Sequence, residues 1–203
     1  MRLLGIFTGK CVGIIGGFGA YATFDFYGRL LDSFAVESER DYPNMIIDNV
    51  FSMPSRTRAL LTGEGQTEIV ETIANSMKKM LDYDVDCMVM ICGTAHYFLP
   101  YVYEKLPEAK DKVINILEAT GKHLAANNID KVLILAAEGT LKQKLYSRTF
   151  DVRIKIEQVK MRISHSPNRG IIETGGISPW QTILTSNLSW MQSSTTRNMR
   201  SLG

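Results

Sequence analysis

The stretch Cys11-Val-Gly-Ile-Ile-Gly-Gly-Phe-Gly-Ala-Tyr-Ala-Thr23 decides the fold. Its first six residues are a short apolar run that ends in glycines, the signature of a buried strand closing in a tight turn. Beyond the turn, Phe26, Leu30 and Leu31 recur at helical spacing, so the chain runs from a strand into a helix over Ala22–Phe34. The alternation then continues downstream. Asn44–Val50 is a second strand and Ser52–Thr57, broken by Pro54, a loop. Thr67–Tyr83 is a helix with an apolar stripe of Ile69, Ile73, Met77, Met80 and Leu81, capped by Thr67. Asp86–Cys92 is a third strand, continuously apolar as a strand covered on both faces must be. A helix starts near Ala95. Lys112–Ile116, Glu118–Asn127 and Lys131–Ala137 read as strand, helix and strand. Strands alternating with helices predict an α/β fold with a parallel, doubly wound sheet.

The composition agrees. A chain of 203 residues fits one large domain or two small ones. With 45% apolar and 22% charged residues it is neither a disordered chain nor a fibrous repeat. The 23 basic and 21 acidic residues leave a net charge of +2, which gives no argument for a nucleic-acid or membrane partner. Cys11, Cys87 and Cys92 show no CxxC spacing, so neither a disulfide scaffold nor a zinc ribbon is expected, and reduced thiols imply a cytoplasmic protein. Lys10 interrupts the first apolar run, which therefore reads as a strand rather than a signal peptide, and no run approaches the roughly 20 apolar residues of a membrane span.

Ligands of such sheets sit beyond the carboxyl ends of the strands. Four loops are therefore candidates: Gly16–Thr23, Ser52–Arg58, Cys92–His96 and Glu138–Thr140. Gly17, Gly19 and Ala22 formally satisfy G-x-G-x-x-A, which cradles a pyrophosphate in dinucleotide sites; the alternative is a tight strand-to-helix turn. Cys92 ends a strand and opens a helix, where the helix N-terminus favours negative charge and hence a thiolate. The backbone N–H groups of Gly93, Thr94 and Ala95 could hold a carboxylate beside it. A thiolate next to a bound carboxylate suits abstraction of a neighbouring proton. Cys11 and Cys87 fit buried structural thiols. His96 could pair with Cys92 as in a hydrolase, or simply be a satisfied buried histidine. Arg56 and Arg58 offer cations to an acidic ligand or to solvent. His96, His123 and His165 are too scattered for a metal site.

Taken together, Gly16-Gly-Phe-Gly-Ala-Tyr-Ala-Thr23, Arg40-Asp-Tyr-Pro43, Pro54-Ser-Arg-Thr57, Cys92-Gly-Thr-Ala-His96 and Glu138-Gly-Thr140 with Tyr146 resemble the aspartate/glutamate racemase family over roughly residues 11–150. The resemblance implies a cofactor-independent amino-acid racemase with no pyridoxal phosphate and no metal. It also implies two similar α/β domains with the site between them, a small amino acid as partner, and a homodimer. In that family two cysteines face opposite sides of the substrate α-carbon, one removing a proton and the other returning one. The resemblance makes Cys92 the first base and Arg56 a grip on the substrate carboxylates. Thr94 and Thr140 become donors to the α-carboxylate, and Gly93, Gly17 and Phe18 line the site.

The chain departs from that pattern at specific points. Gly93 stands where the family usually has Asn, and Phe18 and Ala20 where it often has Met and Pro. No cysteine follows Cys92. Residues 151–203 carry 7 basic and 3 acidic residues against 16 and 18 in residues 1–150, and 178–203 hold ten Ser or Thr. The reading that follows has a racemase-like domain over 1–108, the start of a second α/β domain over 109–150, and a divergent, weakly structured segment over 151–203 with one short strand at Val152–Val159, where the resemblance stops. Such a change of texture is what a frameshift or altered C-terminus produces. With the second cysteine missing, racemisation would be impaired. The alternatives are a non-catalytic carboxylate-binding relative and, on the glycine motif, a dinucleotide-binding protein.

Overall fold

A computed structural model of the protein describes residues 3–4, 9–151 and 153–160. Strand β1 (Leu3–Leu4) leads, and β2 (Cys11–Gly16), α1 (Ala20–Ser33), β3 (Phe34–Ala35) and β4 (Asn44–Asn49) follow. Next come α2 (Arg56–Thr62), α3 (Gln66–Asp82), β5 (Cys87–Met90), α4 (Leu99–Lys105), β6 (Val113–Ile114) and α5 (Ile116–Ala126). The described part closes with β7 (Lys131–Ala136), α6 (Glu138–Lys142), α7 (Leu145–Thr149) and β8 (Lys155–Lys160). A four-stranded parallel sheet has the order β4-β2-β5-β6, with β2 and β5 central. Two further parallel pairs, β1-β3 and β7-β8, complete the ladders.

The doubly wound expectation holds because the strand residues alternate sides. Val12, Ile14, Val89 and Ile91 pack with Phe26 and Leu30 of α1. Ile15, Met88 and Met90 face the other way, onto Ile69, Ile73, Met77 and Met80 of α3 and Leu99 and Val102 of α4. Period-two alternation in a strand covered on both faces yields an unbroken apolar run, which is why β2 and β5 are legible as buried strands. Gly13 serves the same packing: a Cβ there would meet the Met80 Sδ at 2.9 Å.

Three expectations need correction. Ser52–Thr57 is not all loop, because the Ser55 hydroxyl accepts the Arg58 N–H at 3.3 Å and starts α2 at Arg56. Thr67 does not cap α3; Gly65, at φ +78, precedes its first residue, Gln66. The fourth strand does not open a second unit. It is two residues long, pairs with Met88 and Val89, and forms the edge of the first sheet, after which the Asn115 side chain caps α5 at the N–H groups of Leu117 and Glu118. The short strand expected over Val152–Val159 is found at Lys155–Lys160, where β8 runs parallel to β7 in continuous register from Lys131↔Lys155 to Ala136↔Lys160. Both tryptophans and the Ser/Thr-rich stretch lie outside the described residues.

Candidate active site at the strand ends

The glycine loop is built by contact rather than by openness. Gly17 adopts φ +86, and a Cβ there would run into the Val50 backbone nitrogen; one on Gly16 would collide with Thr23. The Gly17 N–H donates to the Thr23 hydroxyl at 3.3 Å, and the Val50 N–H to the Gly16 carbonyl at 3.2 Å. The amide that a pyrophosphate would need is thus engaged inside the turn. Asp48, the acidic residue of the second strand, bonds the Ser76 hydroxyl and the Lys79 ammonium on α3. These bonds favour the tight-turn reading of the glycine motif over the dinucleotide one.

Arg56 fastens this loop from α2. Its Nη2 donates to the Phe18 carbonyl at 2.9 Å and its Nη1 to the Pro54 carbonyl at 3.2 Å, while its guanidinium carbon lies 5.4 Å from the centroid of the Phe18 ring. Arg58 points elsewhere and pairs with Glu64 at 2.7 Å, well exposed, as a solvated surface charge.

After β5 the chain turns sharply. The Cys92 N–H donates to the Met90 carbonyl at 2.9 Å, and the Ala95 and His96 N–H groups to the Cys92 and Gly93 carbonyls at 3.2 Å each. A 3-10 turn over Thr94–Phe98 follows and runs into α4. The Ala95 N–H is consequently engaged, whereas the N–H groups of Gly93 and Thr94 donate to no described residue. His96 is buried. The Ile116 N–H can only donate, and it meets His96 Nε2 at 3.2 Å, so Nε2 is the acceptor. The proton therefore sits on Nδ1, which donates to the Cys92 carbonyl at 2.8 Å. Burial pushes the imidazole down to about 4, so it is neutral. Both ring nitrogens are occupied by backbone, which rules His96 out as a base for the thiol and makes it a strut between the Cys92 turn and α5.

The three cysteines separate clearly. Burial, with Asp86 adding, pushes the Cys87 thiol up to about 12, and burial with Asp86 also raises Cys11. Both belong to strands. Cys92 lies half-buried on the strand-end turn.

The second unit reaches this turn through α6. Thr140, 3% exposed, places its hydroxyl 2.6 Å from that of Thr94. Gly139 permits the approach: a Cβ there would stand 3.2 Å from the Thr57 Cα and the Leu60 Cβ of α2. Gln143 adds a bond from its Nε2 to the Leu60 carbonyl at 3.3 Å. From α7 the Tyr146 hydroxyl comes close to Gly93, at 2.8 Å from the position a Cβ would take. Cys92, Gly93, Thr94 and Thr140 are thus brought together, while Arg56 bonds Phe18 in the glycine loop and Gly17 of that loop bonds Thr23. Of the two readings offered for His96, the satisfied buried histidine is the one found. Gly139 and Tyr146 are the structural participants that the motifs leave without a role, and the Glu-Gly-Thr run and the tyrosine that follows it are the only sign of them. Among the described residues no group of three His, Cys, Asp or Glu could hold a metal, and no helix is long and apolar enough to cross a membrane.

Comparison with known proteins bears on this arrangement. Of solved structures, an aspartate racemase from Picrophilus torridus superposes with a TM-score of 0.64 at 26% identity, covering 74% of this chain and 62% of its own. An aspartate racemase homologue from Pyrococcus horikoshii OT3 gives a TM-score of 0.56 at 21% identity, covering 74% and 64%. A glutamate racemase from Francisella tularensis in complex with D-glutamate gives 0.56 at 12% identity, covering 97% and 81%, a likeness of fold alone. The chain therefore spans less than two thirds of the length of the first two. The family model described as Asp/Glu/hydantoin racemase matches residues 15–171, well over half of the chain. That match extends beyond residue 150, so the resemblance does not stop there, in keeping with the β7-β8 ladder. The chain belongs to the Asp/Glu/hydantoin racemase family.

Proposed function

We propose that the protein is an amino-acid racemase for aspartate or glutamate, working without pyridoxal phosphate or metal, in which the Cys92 thiolate removes the substrate α-proton. The observation that carries this reading is the Thr94–Thr140 hydroxyl pair beside Cys92. In a hydroxyl–hydroxyl bond one partner donates and the other keeps its own proton for a ligand. With the open N–H groups of Gly93 and Thr94, that proton forms a set of donors for an α-carboxylate. As the Cys92 sulfur takes the proton and becomes a thiol, the C–H electron pair moves into the carboxylate. Fixed donors stabilise the charge developing there. Arg56 holds the Phe18 loop against the ligand, and Gly17 lets that loop turn. The same reading sets the protein in the cytoplasm as a homodimer.

A single thiol returns a proton to the face from which it came. Inversion asks for a second acid on the other face, and none of the three cysteines follows Cys92. We expect exchange of the α-proton with solvent to exceed inversion. Deuterium incorporation into L- and D-aspartate and glutamate in D2O, alongside chiral analysis, measures both. Cys92→Ala should reduce exchange by at least about a hundredfold. Exchange that is absent with all four ligands, or unchanged in Cys92→Ala, would refute the proposal. The absence of a later cysteine also favours a second reading, a carboxylate-binding protein without turnover, which binding without exchange would select.

A further inference from the structure

We propose that Tyr146 is a ligand-binding residue of this site, its phenol O–H donating to the carboxylate held over the Gly93–Thr94 backbone. The inference deepens the reading of the site given above and rests on it. Three observations converge. The Tyr146 hydroxyl makes no hydrogen bond to any described residue, although the ring is anchored: it packs edge-on to Phe150 with centroids 5.5 Å apart, and belongs to the cluster of Leu124, Ile134 and Phe150. A sequestered phenol without a partner is costly and calls for an explanation. Next, the hydroxyl lies over the open face of Gly93, at 2.8 Å from the position of an added Cβ. A glycine is the residue that leaves that space to the phenol. Last, the adjoining groups have the same unmet need and the same polarity. The N–H groups of Gly93 and Thr94 donate to no described residue, and the Thr94–Thr140 pair retains one hydroxyl proton.

The set is donors only, with no acidic side chain among them, and this suits a carboxylate and disfavours an ammonium group. Burial, with the neighbouring Cys92 adding, pushes the Tyr146 phenol up to about 12, so it keeps its proton as a donor through the neutral range. Tyr146 sits on α7 and Gly93 on the turn after β5, so the bond would draw both units onto one ligand.

The test is calorimetric titration of wild-type protein and Tyr146→Phe with L- and D-aspartate and glutamate, with the D2O exchange assay run beside it. Tyr146→Phe keeps the ring and should retain the melting temperature while weakening the tightest-bound ligand about tenfold. Gly93→Ala should lower the melting temperature, and less so when combined with Tyr146→Phe, because the phenol oxygen is the atom it meets. Unchanged affinity in Tyr146→Phe overturns the inference even where exchange proceeds, and so does a wild-type protein that binds none of the four ligands. Binding that weakens in Tyr146→Phe while wild-type protein exchanges no proton supports the inference and removes the racemase reading instead.

Discussion

At the scale of single residues, His96 is the group whose protonation is tied most firmly to the fold. Its imidazole donates to the Cys92 carbonyl and accepts from the Ile116 N–H, so a second proton would displace the Ile116 bond. The folded value of about 4 lies below the free value of 6.5. Between those two pH values the unfolded chain binds more protons than the folded one, so stability falls as pH drops from 6.5 towards 4 and is unaffected by this group above 6.5. The full effect is on the order of 3 kcal/mol. Urea midpoints measured at pH 7, 5.5 and 4.5 should show this slope in the wild-type protein and a flatter one in His96→Gln. Equal slopes would show that other groups govern the acid limb.

Among elements, the β2–α1 turn depends most on one backbone conformation. Gly17→Ala combines a positive φ with a collision at Val50, and should cost at least about 2 kcal/mol in chemical denaturation. A loss below about 0.5 kcal/mol would mean that the turn relaxes freely. This turn was also the most legible part of the sequence, because glycines after an apolar run report a physical requirement. The elements that sequence reading missed or placed with the wrong bounds share a different cause. Helix α2 is seven residues long, too short to display an apolar period, and only Pro54 followed by Ser55 marks its start. The strand read over Lys112–Ile116 is present but shrinks to the two residues of β6, because its extent is set by register with Met88 and Val89, a long-range property that local pattern does not carry. The short strand expected over Val152–Val159 is present as β8, shifted to Lys155–Lys160; it alternates weakly and is exposed at Lys155 and Glu157, so its bounds come from β7 beside it.

For the whole molecule, the important junction is that between the first sheet and the β7–β8 unit. Cys92, Gly93, Thr94 and Thr140 could be proposed from motif order, but their meeting across the junction required α2 and α6 to touch, and that contact is set by the missing side chain of Gly139. Gly139→Ala would place a Cβ 3.2 Å from Thr57 and Leu60 and push the helices apart by a few tenths of an ångström. Stability should drop by about 1 kcal/mol. The α-proton exchange rate should fall by about tenfold, since the Thr94–Thr140 spacing is what changes. Exchange kinetics compared with the melting temperature check this, and a rate that only tracks unfolding would argue against it. The hydroxyl pair also has a bearing on the order of events in folding. Its two members are 46 residues apart in the chain. Pairing β2 with β5 closes a longer loop still, from Val12 to Cys87, so chain order rather than loop length separates the two events: β2 and β5 are both synthesised before α6. During synthesis the thiol turn therefore emerges well before its partner hydroxyl, and a nascent chain stopped short of α6 would carry Cys92 without a complete pocket. On the function proposed here, an amino acid bound at the site would act as a latch on the finished fold, slowing its opening while leaving the rate of initial collapse unchanged.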